Sequence, residues 1–78
     1  MSQEQFAAIL PYISADLIYM ICNKKKIAEE EAIFMLYTSQ LYAALEQEET
    51  KLWHYSTEML YSLLEQEEQT GAIRYPDV

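Results

Sequence analysis

Paired carboxylates at helical spacing are the first feature of this sequence that could support chemistry. Glu46 and Glu49 are three residues apart, and so are Glu65 and Glu68. Four inward-facing carboxylates are typical of di-iron and di-manganese bundles, but those sites also need a Glu-x-x-His pair on each of two helices. The single histidine, His54, has no acid at that spacing before it. The acids also follow apolar runs, so we expect them at helix ends in water and predict no metal site.

Cysteine and serine chemistry lack the necessary companions. Cys22 is the single cysteine, so it forms no intrachain disulfide, and we expect a buried, inert thiol. Gly71 is the single glycine, which leaves no material for a glycine-rich oxyanion or phosphate loop. We therefore predict a protein that is not an enzyme and binds no cofactor. A general base at His54 is the remaining catalytic alternative.

Three adjacent residues, Trp53, His54 and Tyr55, concentrate side chains suited to recognition. They include the one tryptophan and the one histidine of the chain, and they lie in a predicted connection between helices. Connections often carry recognition because rigid elements hold them while their side chains stay free. We name these three as candidate partner contacts. The competing interpretation is that Leu52 and Trp53 only plug the space between the last two helices.

Acidic charge is concentrated late in the chain. The sequence has 13 Asp and Glu against 5 Lys and Arg, a net charge of −8. Residues 1–26 carry a net charge of +1, and the rest carry −9. This balance argues against direct binding of nucleic acid, which requires a basic face. The candidate acidic face comprises three glutamates after each of two apolar runs: Glu46, Glu48, Glu49, Glu65, Glu67 and Glu68.

The acidic face has three interpretations. It could keep the protein in solution, or it could steer the protein towards a basic protein partner. It could also imitate DNA phosphates in a regulator, if the two helices that carry it lie side by side. Seven tyrosines add a second recognition signal, because Tyr is enriched both at core borders and at binding hot spots.

The apolar spacing predicts an all-α fold. One Gly and two Pro among 78 residues provide few turns for a β-structure. We predict a small bundle of three to four short helices near residues 3–22, 28–37, 39–48 and 57–70, in one domain of residues 1–71 with an extended tail, 72–78. Ser2, Ser39 and Ser56 are the expected N-caps, and Gly71 the expected stop. Such a small core also predicts a homo-oligomer.

The first helix carries two apolar stripes. Phe6, Leu10, Ile13 and Leu17 follow the helical period and predict the core face. We expect the second stripe, which includes Tyr12, Ala15, Tyr19 and Cys22, to widen the buried arc. Pro11 predicts either a kink or two abutting helices. Because Pro11 and Asp16 interrupt the apolar run, we expect no membrane span, and a cytoplasmic protein.

One segment of the chain is nearly repeated. LYAALEQEE at residues 41–49 returns as LYSLLEQEE at residues 60–68. Two copies are fewer than a solenoid requires, so we interpret them as two amphipathic helices that share a solvent face.

Two further segments carry a family resemblance. IAEEEAIFMLY at residues 27–37, followed by LEQEETKLWHYS at residues 45–56, resembles small helical bacterial proteins of unknown function, some of which are encoded beside toxin genes. The resemblance implies an interaction role, as an antitoxin-like or accessory partner. It transfers no catalytic residue. We therefore predict a small acidic interaction protein, with the DNA-mimic regulator as the alternative.

Overall fold

Four α-helices account for most of the described chain. The computed structural model describes residues 2–75. Its helices are α1 (Gln3–Lys25), α2 (Glu29–Tyr37), α3 (Gln40–Leu45) and α4 (Thr57–Thr70), and two 3₁₀ turns, Glu48–Thr50 and Leu52–His54, lie between α3 and α4. No strand occurs within residues 2–75. The all-α prediction is confirmed.

The helix ends form where the sequence predicts them. The Ser2 hydroxyl accepts from the Gln5 backbone and the Gln5 side chain accepts from the Ser2 backbone, both at 3.1 Å, which is a complete capping box. The Ser39 and Ser56 hydroxyls cap α3 and α4 by accepting hydrogen bonds from the Tyr42 and Met59 backbones. Gly71 ends α4 with a φ of 78°, a left-handed conformation that suits glycine.

Helix α1 is continuous through Pro11. The alternative of two abutting helices is therefore wrong, while a bend of the axis at Pro11 stays a prediction. The helix ends later than expected, because Lys24 and Lys25 form its last turn and Lys26 then adopts a left-handed φ of 57°. Cations are favourable at this end of a helix because of its dipole.

Helix α1 is long and apolar enough, by length and composition, to cross a membrane. Its 23 residues correspond to about 35 Å of helix, and the longest dimension of the molecule is 35 Å. Pro11 and Asp16 were expected to interrupt this apolar run, but the helix continues through both; that it does not span a membrane stays a prediction. Only 22% of its apolar window is buried within the molecule. The buried part includes Leu17 and Ile21, which join the shared core.

All four helices contribute to one hydrophobic core. Most of its members are leucines, and α4 supplies more of these than any other element. The core consists of Leu17, Ile21, Ala32, Leu36, Leu41, Leu45, Leu52, Leu60, Tyr61, Leu63 and Leu64. On α4, Tyr61 is buried, whereas Met59 is 39% exposed.

The second stripe of α1 lies in solvent. Tyr12 and Tyr19 are each 74% exposed, and Ala15 is also exposed. The prediction that this stripe widens the buried arc is wrong for Tyr12, Ala15 and Tyr19, which the described elements leave exposed. Cys22, expected to be buried, is half-buried at the edge of the core.

The described part of the tail turns back towards α4. Ile73 packs against the core, and the Arg74 backbone donates a hydrogen bond of 2.6 Å to the Gln66 side chain. The predicted extension of residues 76–78 lies outside the described residues.

Candidate functional site

The connection between α3 and α4, residues 46–56, is ordered around Leu52. Leu52 is 3% exposed and belongs to the core. The chain reverses at Lys51, which has a left-handed φ of 59° between the two 3₁₀ turns. The Thr50 hydroxyl lies 2.9 Å from the Ala44 carbonyl and 2.8 Å from the Gln47 carbonyl. Both carbonyls also accept a backbone N–H, from Gln47 and from Thr50 respectively, and the hydroxyl shares its one proton between them.

Trp53 is half-buried, and within residues 52–55 it is Leu52 and Tyr55 that belong to or pack against the core. Its indole Nε1 donates a hydrogen bond of 3.0 Å to the Glu48 carbonyl, within the connection itself. Leu52 is the buried member of the plug that the sequence suggests between the last two helices, and the contribution of Trp53 to it stays a prediction. Part of the Trp53 side chain remains exposed.

His54 and Tyr55 continue the aromatic surface. The His54 ring lies 4.4 Å from the Tyr55 ring and 5.8 Å from the Trp53 ring, centroid to centroid. His54 is exposed and its Nδ1 contacts the Lys51 carbonyl. Tyr55 is half-buried against the core. The structure thus brings the three candidate contacts together as one partly exposed aromatic row.

Glu67 binds another part of the same chain. Its two carboxylate oxygens accept hydrogen bonds from the Gln40 backbone at 2.8 Å and from the Leu41 backbone at 3.1 Å. These donors are the first amides of α3, which have no partners inside their own helix. A carboxylate is favourable there, because the N-terminus of a helix carries partial positive charge. Glu67 is therefore an internal cap for α3.

Glu68 forms an ion pair with Lys25. The Lys25 Nζ lies 2.9 Å from the Glu68 carboxylate and 6.0 Å from the centre of the Tyr61 ring. The hydrogen bond to Glu68 raises the pKa of Lys25 above its ordinary value, and burial opposes that rise. Burial raises the pKa of the Tyr61 phenol, with Lys25 opposing. The C-terminal half of α4 is thus fastened to the end of α1.

The six glutamates of the candidate acidic face form two separate groups. Glu67 contacts the N-terminus of α3, whereas Glu46, Glu48 and Glu49 follow its C-terminus. The six residues of α3 separate the two groups by about 9 Å of helix. Glu65 is half-buried on α4 with the second group. The face is divided, and two of its carboxylates already have internal partners.

An open groove lies between α2 and α4, and the sequence analysis did not identify it. Its volume is about 620 Å³. Helix α2 contributes Glu30, Glu31, Phe34 and Met35, and α4 contributes Leu64, Glu67 and Glu68. Phe34 is 71% exposed. The sequence signal for this groove is the position of Phe34, which lies off the buried Ala32–Leu36 stripe and close to the acidic first turn of α2. We call this feature the α2–α4 groove.

The tyrosines divide between core and solvent. Tyr61 is buried, Tyr42 and Tyr55 are half-buried, and the exposed ones are Tyr12, Tyr19, Tyr37 and Tyr75.

Tyr37 and Tyr42 stack at the edge of the core. Their ring centroids are 4.7 Å apart. Burial raises the pKa of the Tyr42 phenol, which lies close to the Ser14 hydroxyl. That hydroxyl is itself buried, and it lies outside hydrogen-bonding geometry with any group in residues 2–75. Tyr37, the exposed member of this pair, lies on α2 together with the exposed Phe34.

Metal-ligand geometry is not found in the described part of the chain. Within residues 2–75, no group of three or more His, Cys, Asp or Glu side chains is placed to hold an ion.

Comparison with known proteins gives no assignment. No protein-family model, curated protein or solved structure matches this chain.

Proposed function

We propose that this protein is a small acidic, non-enzymatic interaction module that binds a basic protein partner. One observation carries the proposal: folding neutralises very little of the acidic charge. Within residues 2–75 the Lys25–Glu68 contact is the one ion pair, although the chain carries 13 Asp and Glu. Unpaired surface carboxylates attract a basic partner and accelerate its association. Exposed aromatic rings such as Phe34 and Tyr37 add the contact area on which affinity depends.

Capture with salt elution tests this proposal. The tagged protein is mixed with lysate of its own host, washed at low salt, and eluted in a salt gradient before the bound proteins are identified. We expect one predominant basic protein that is released as the salt concentration rises, because screening weakens surface charge pairs. Reconstitution from the two purified proteins must reproduce the binding. Capture of acidic proteins only, or retention independent of salt, would contradict the proposal.

An antitoxin-like role is the specific form that we propose for this interaction. The support is the resemblance of residues 27–37 and 45–56 to small bacterial proteins encoded beside toxin genes. The test is co-expression with the protein of the neighbouring gene. We expect that protein to arrest growth alone and to be neutralised by this one in a stable complex. Growth arrest that persists despite full expression of this chain would remove the antitoxin-like role.

Self-association is a further part of the proposal. Tyr12 and Tyr19 stand 74% exposed on a face of α1 that also carries Ala15, and burial of such a face favours a homo-oligomer. Sedimentation equilibrium over micromolar concentrations is the test. We expect a mass above 9.2 kDa that falls in the double variant Tyr12→Ser, Tyr19→Ser. A wild-type monomer throughout would contradict self-association.

The cytoplasm is the location that we propose. The support is the lone Cys22, which gives the chain no disulfide to form in an oxidising compartment. Because α1 could by composition cross a membrane, fractionation of the host cells is the direct test. We expect the protein in the high-speed supernatant, and recovery in a membrane pellet that resists salt and carbonate washes would overturn the proposal.

A further inference from the structure

We propose that the α2–α4 groove is the docking site for a basic amphipathic helix of the partner protein. This inference rests on the proposed function and specifies where and how the partner binds. It predicts an occupant with an apolar stripe that enters the groove and with Lys or Arg residues along both sides of that stripe. Three properties of the groove support it: its apolar floor, its length and its charge.

The floor of the groove is apolar and open. Helices α2 and α4 each pack against α1, and the space of about 620 Å³ between them remains unfilled. Leu64 forms the deepest part at 1% exposure, while Phe34 stands at 71% exposure. An aromatic ring left in water beside a recess is a typical binding anchor, since most of its area is desolvated only when a partner arrives.

The length of the groove fits a short helix. Its α2 wall runs from Glu30 to Thr38, which corresponds to about 12 Å of helix. Helices that bind in grooves insert side chains at positions i, i+3 or i+4, and i+7. These positions span about 10.5 Å, so two turns of a partner helix fill the groove along its whole wall.

The charge around the groove selects a basic occupant. Glu30 and Glu31 are exposed on the α2 wall, and neither forms an ion pair within residues 2–75. On the α4 wall, Glu68 shares its charge with Lys25, and Glu67 is bound to the first amides of α3. The α2 wall therefore supplies the uncompensated charge, and a helix with Lys or Arg on that side is complementary to it.

Direct titration with a designed probe tests the inference. The probe is a fluorescein-labelled peptide of about 14 residues, four turns of helix, with Leu at i, i+4 and i+7 in its central turns and with Lys and Ala elsewhere. Its control replaces every Leu by Ala and keeps the charge. We expect the Leu peptide to bind, with NMR shifts centred on Phe34, Met35 and Leu64, and the Ala peptide to bind at least about tenfold more weakly. Equal affinities, or no binding of the Leu peptide, would overturn the inference.

Matched variants locate the contact. Phe34→Ala should weaken binding of the Leu peptide about tenfold or more, whereas Tyr12→Ala, which removes an equally exposed ring from α1, should not. The double variant Glu30→Gln, Glu31→Gln should weaken binding and flatten its salt dependence. Glu46→Gln, Glu49→Gln makes the same change in net charge and should leave both unchanged. Parallel effects in the two double variants would show a response to total charge and refute the groove.

The captured partner separates this inference from the proposed function. A basic partner that binds Phe34→Ala as tightly as the wild type would refute the groove and leave the interaction role intact. A partner that loses about tenfold in affinity with Phe34→Ala, but not with Tyr12→Ala, supports both.

Discussion

Replacement of Glu67 by Gln should destabilise the whole domain, although Glu67 lies only one turn from the end of α4. In the structure its two carboxylate oxygens each accept a hydrogen bond from an amide of α3, at 2.8 Å and 3.1 Å. Glutamine keeps one acceptor oxygen and turns an amide donor towards the second N–H. Helix α3 has six residues, too few to be stable by itself, so it depends on this cap and on its buried leucines.

The size of the effect follows from the two hydrogen bonds. A hydrogen bond to a charged group contributes about 1.5–3 kcal/mol, and a neutral one about 0.5–1.5 kcal/mol. Glu67 is half-buried, so the low end of these ranges applies. Loss of one charged bond removes about 1.5 kcal/mol, and the other bond falls from about 1.5 to about 0.5 kcal/mol, so the free energy of unfolding should decrease by about 2.5 kcal/mol. For a domain of this size, that corresponds to a Tm lower by roughly 10–20 °C.

Urea denaturation followed by circular dichroism at pH 7 measures this decrease. The midpoint should fall while the m-value stays constant, which indicates a change in stability and not in the surface exposed. Glu65→Gln is the matched control, because Glu65 is also half-buried on α4 and the change in charge is identical. We expect Glu65→Gln to stay within about 0.5 kcal/mol of the wild type. Equal stabilities of the two variants would refute the capping role of Glu67.

Three further predictions follow from other contacts. Leu52→Ala should lower the unfolding free energy by about 2–4 kcal/mol, because it empties a buried site. Trp53→Ala should lower it by about 1 kcal/mol, because the indole loses its one hydrogen bond. The reverse order in urea denaturation would show that Trp53, and not Leu52, fills the space between the last two helices. The pKa values of Lys25 and Tyr61 are both raised in the folded state. Their protonated forms therefore stabilise the fold fully below about pH 10, and this stabilisation is lost as the pH rises through the folded pKa values. The Tm measured from pH 8 to 11.5 should fall less steeply in Tyr61→Phe than in the wild type, and identical slopes would contradict this. Gly71→Ala should lower the unfolding free energy by about 1 kcal/mol, because a side chain is strained at a φ of 78°. No atom lies within 4 Å of the added methyl group, so a steric clash does not contribute. A calorimetric Tm equal to that of the wild type would contradict the left-handed cap.

The helices that have local start and stop signals were predictable from the sequence. Helix α4 covers the predicted residues 57–70 because Ser56 caps its start and Gly71 ends it. These signals operate within a single turn of chain, so no knowledge of the tertiary structure is needed. For the same reason Ser39 marked the start of α3, while the end of α3 depended on contacts that the local pattern does not contain.

The repeated segment shows where local sequence stops being sufficient. The letters EQEE occur at residues 46–49 and 65–68, yet α3 ends before the first copy and α4 continues through the second. After the first copy, the Thr50 hydroxyl contacts the Ala44 and Gln47 carbonyls and the chain turns. In the second copy, Glu67 and Glu68 contact α3 and α1. Identical residues therefore adopt different structures: the first copy lies beside a turn with local contacts, and the second lies in a helix with distant contacts.

The candidate site was predictable only in part. The aromatic row of residues 53–55 forms as one surface because its members are adjacent in the chain. The α2–α4 groove depends instead on how two helices pack against α1, which apolar spacing does not specify. The same limit explains Tyr12 and Tyr19: their stripe follows the helical period, but the three later helices are too short to surround α1.

The uneven burial of α1 has a consequence for how the molecule opens. Leu17 and Ile21 are fully buried in the core, whereas Ala7 and Ala8 are exposed, Ile9 and Leu10 are half-buried, and Phe6 is the one buried residue of the first turns. Amide hydrogen exchange should therefore show a gradient within one continuous helix, with faster exchange at residues 7–10 than in the turns around Leu17, which should exchange only by global unfolding. Because α2 and α4 both pack against α1, we expect the segment around Leu17 to unfold last, together with the rest of the core as one cooperative unit.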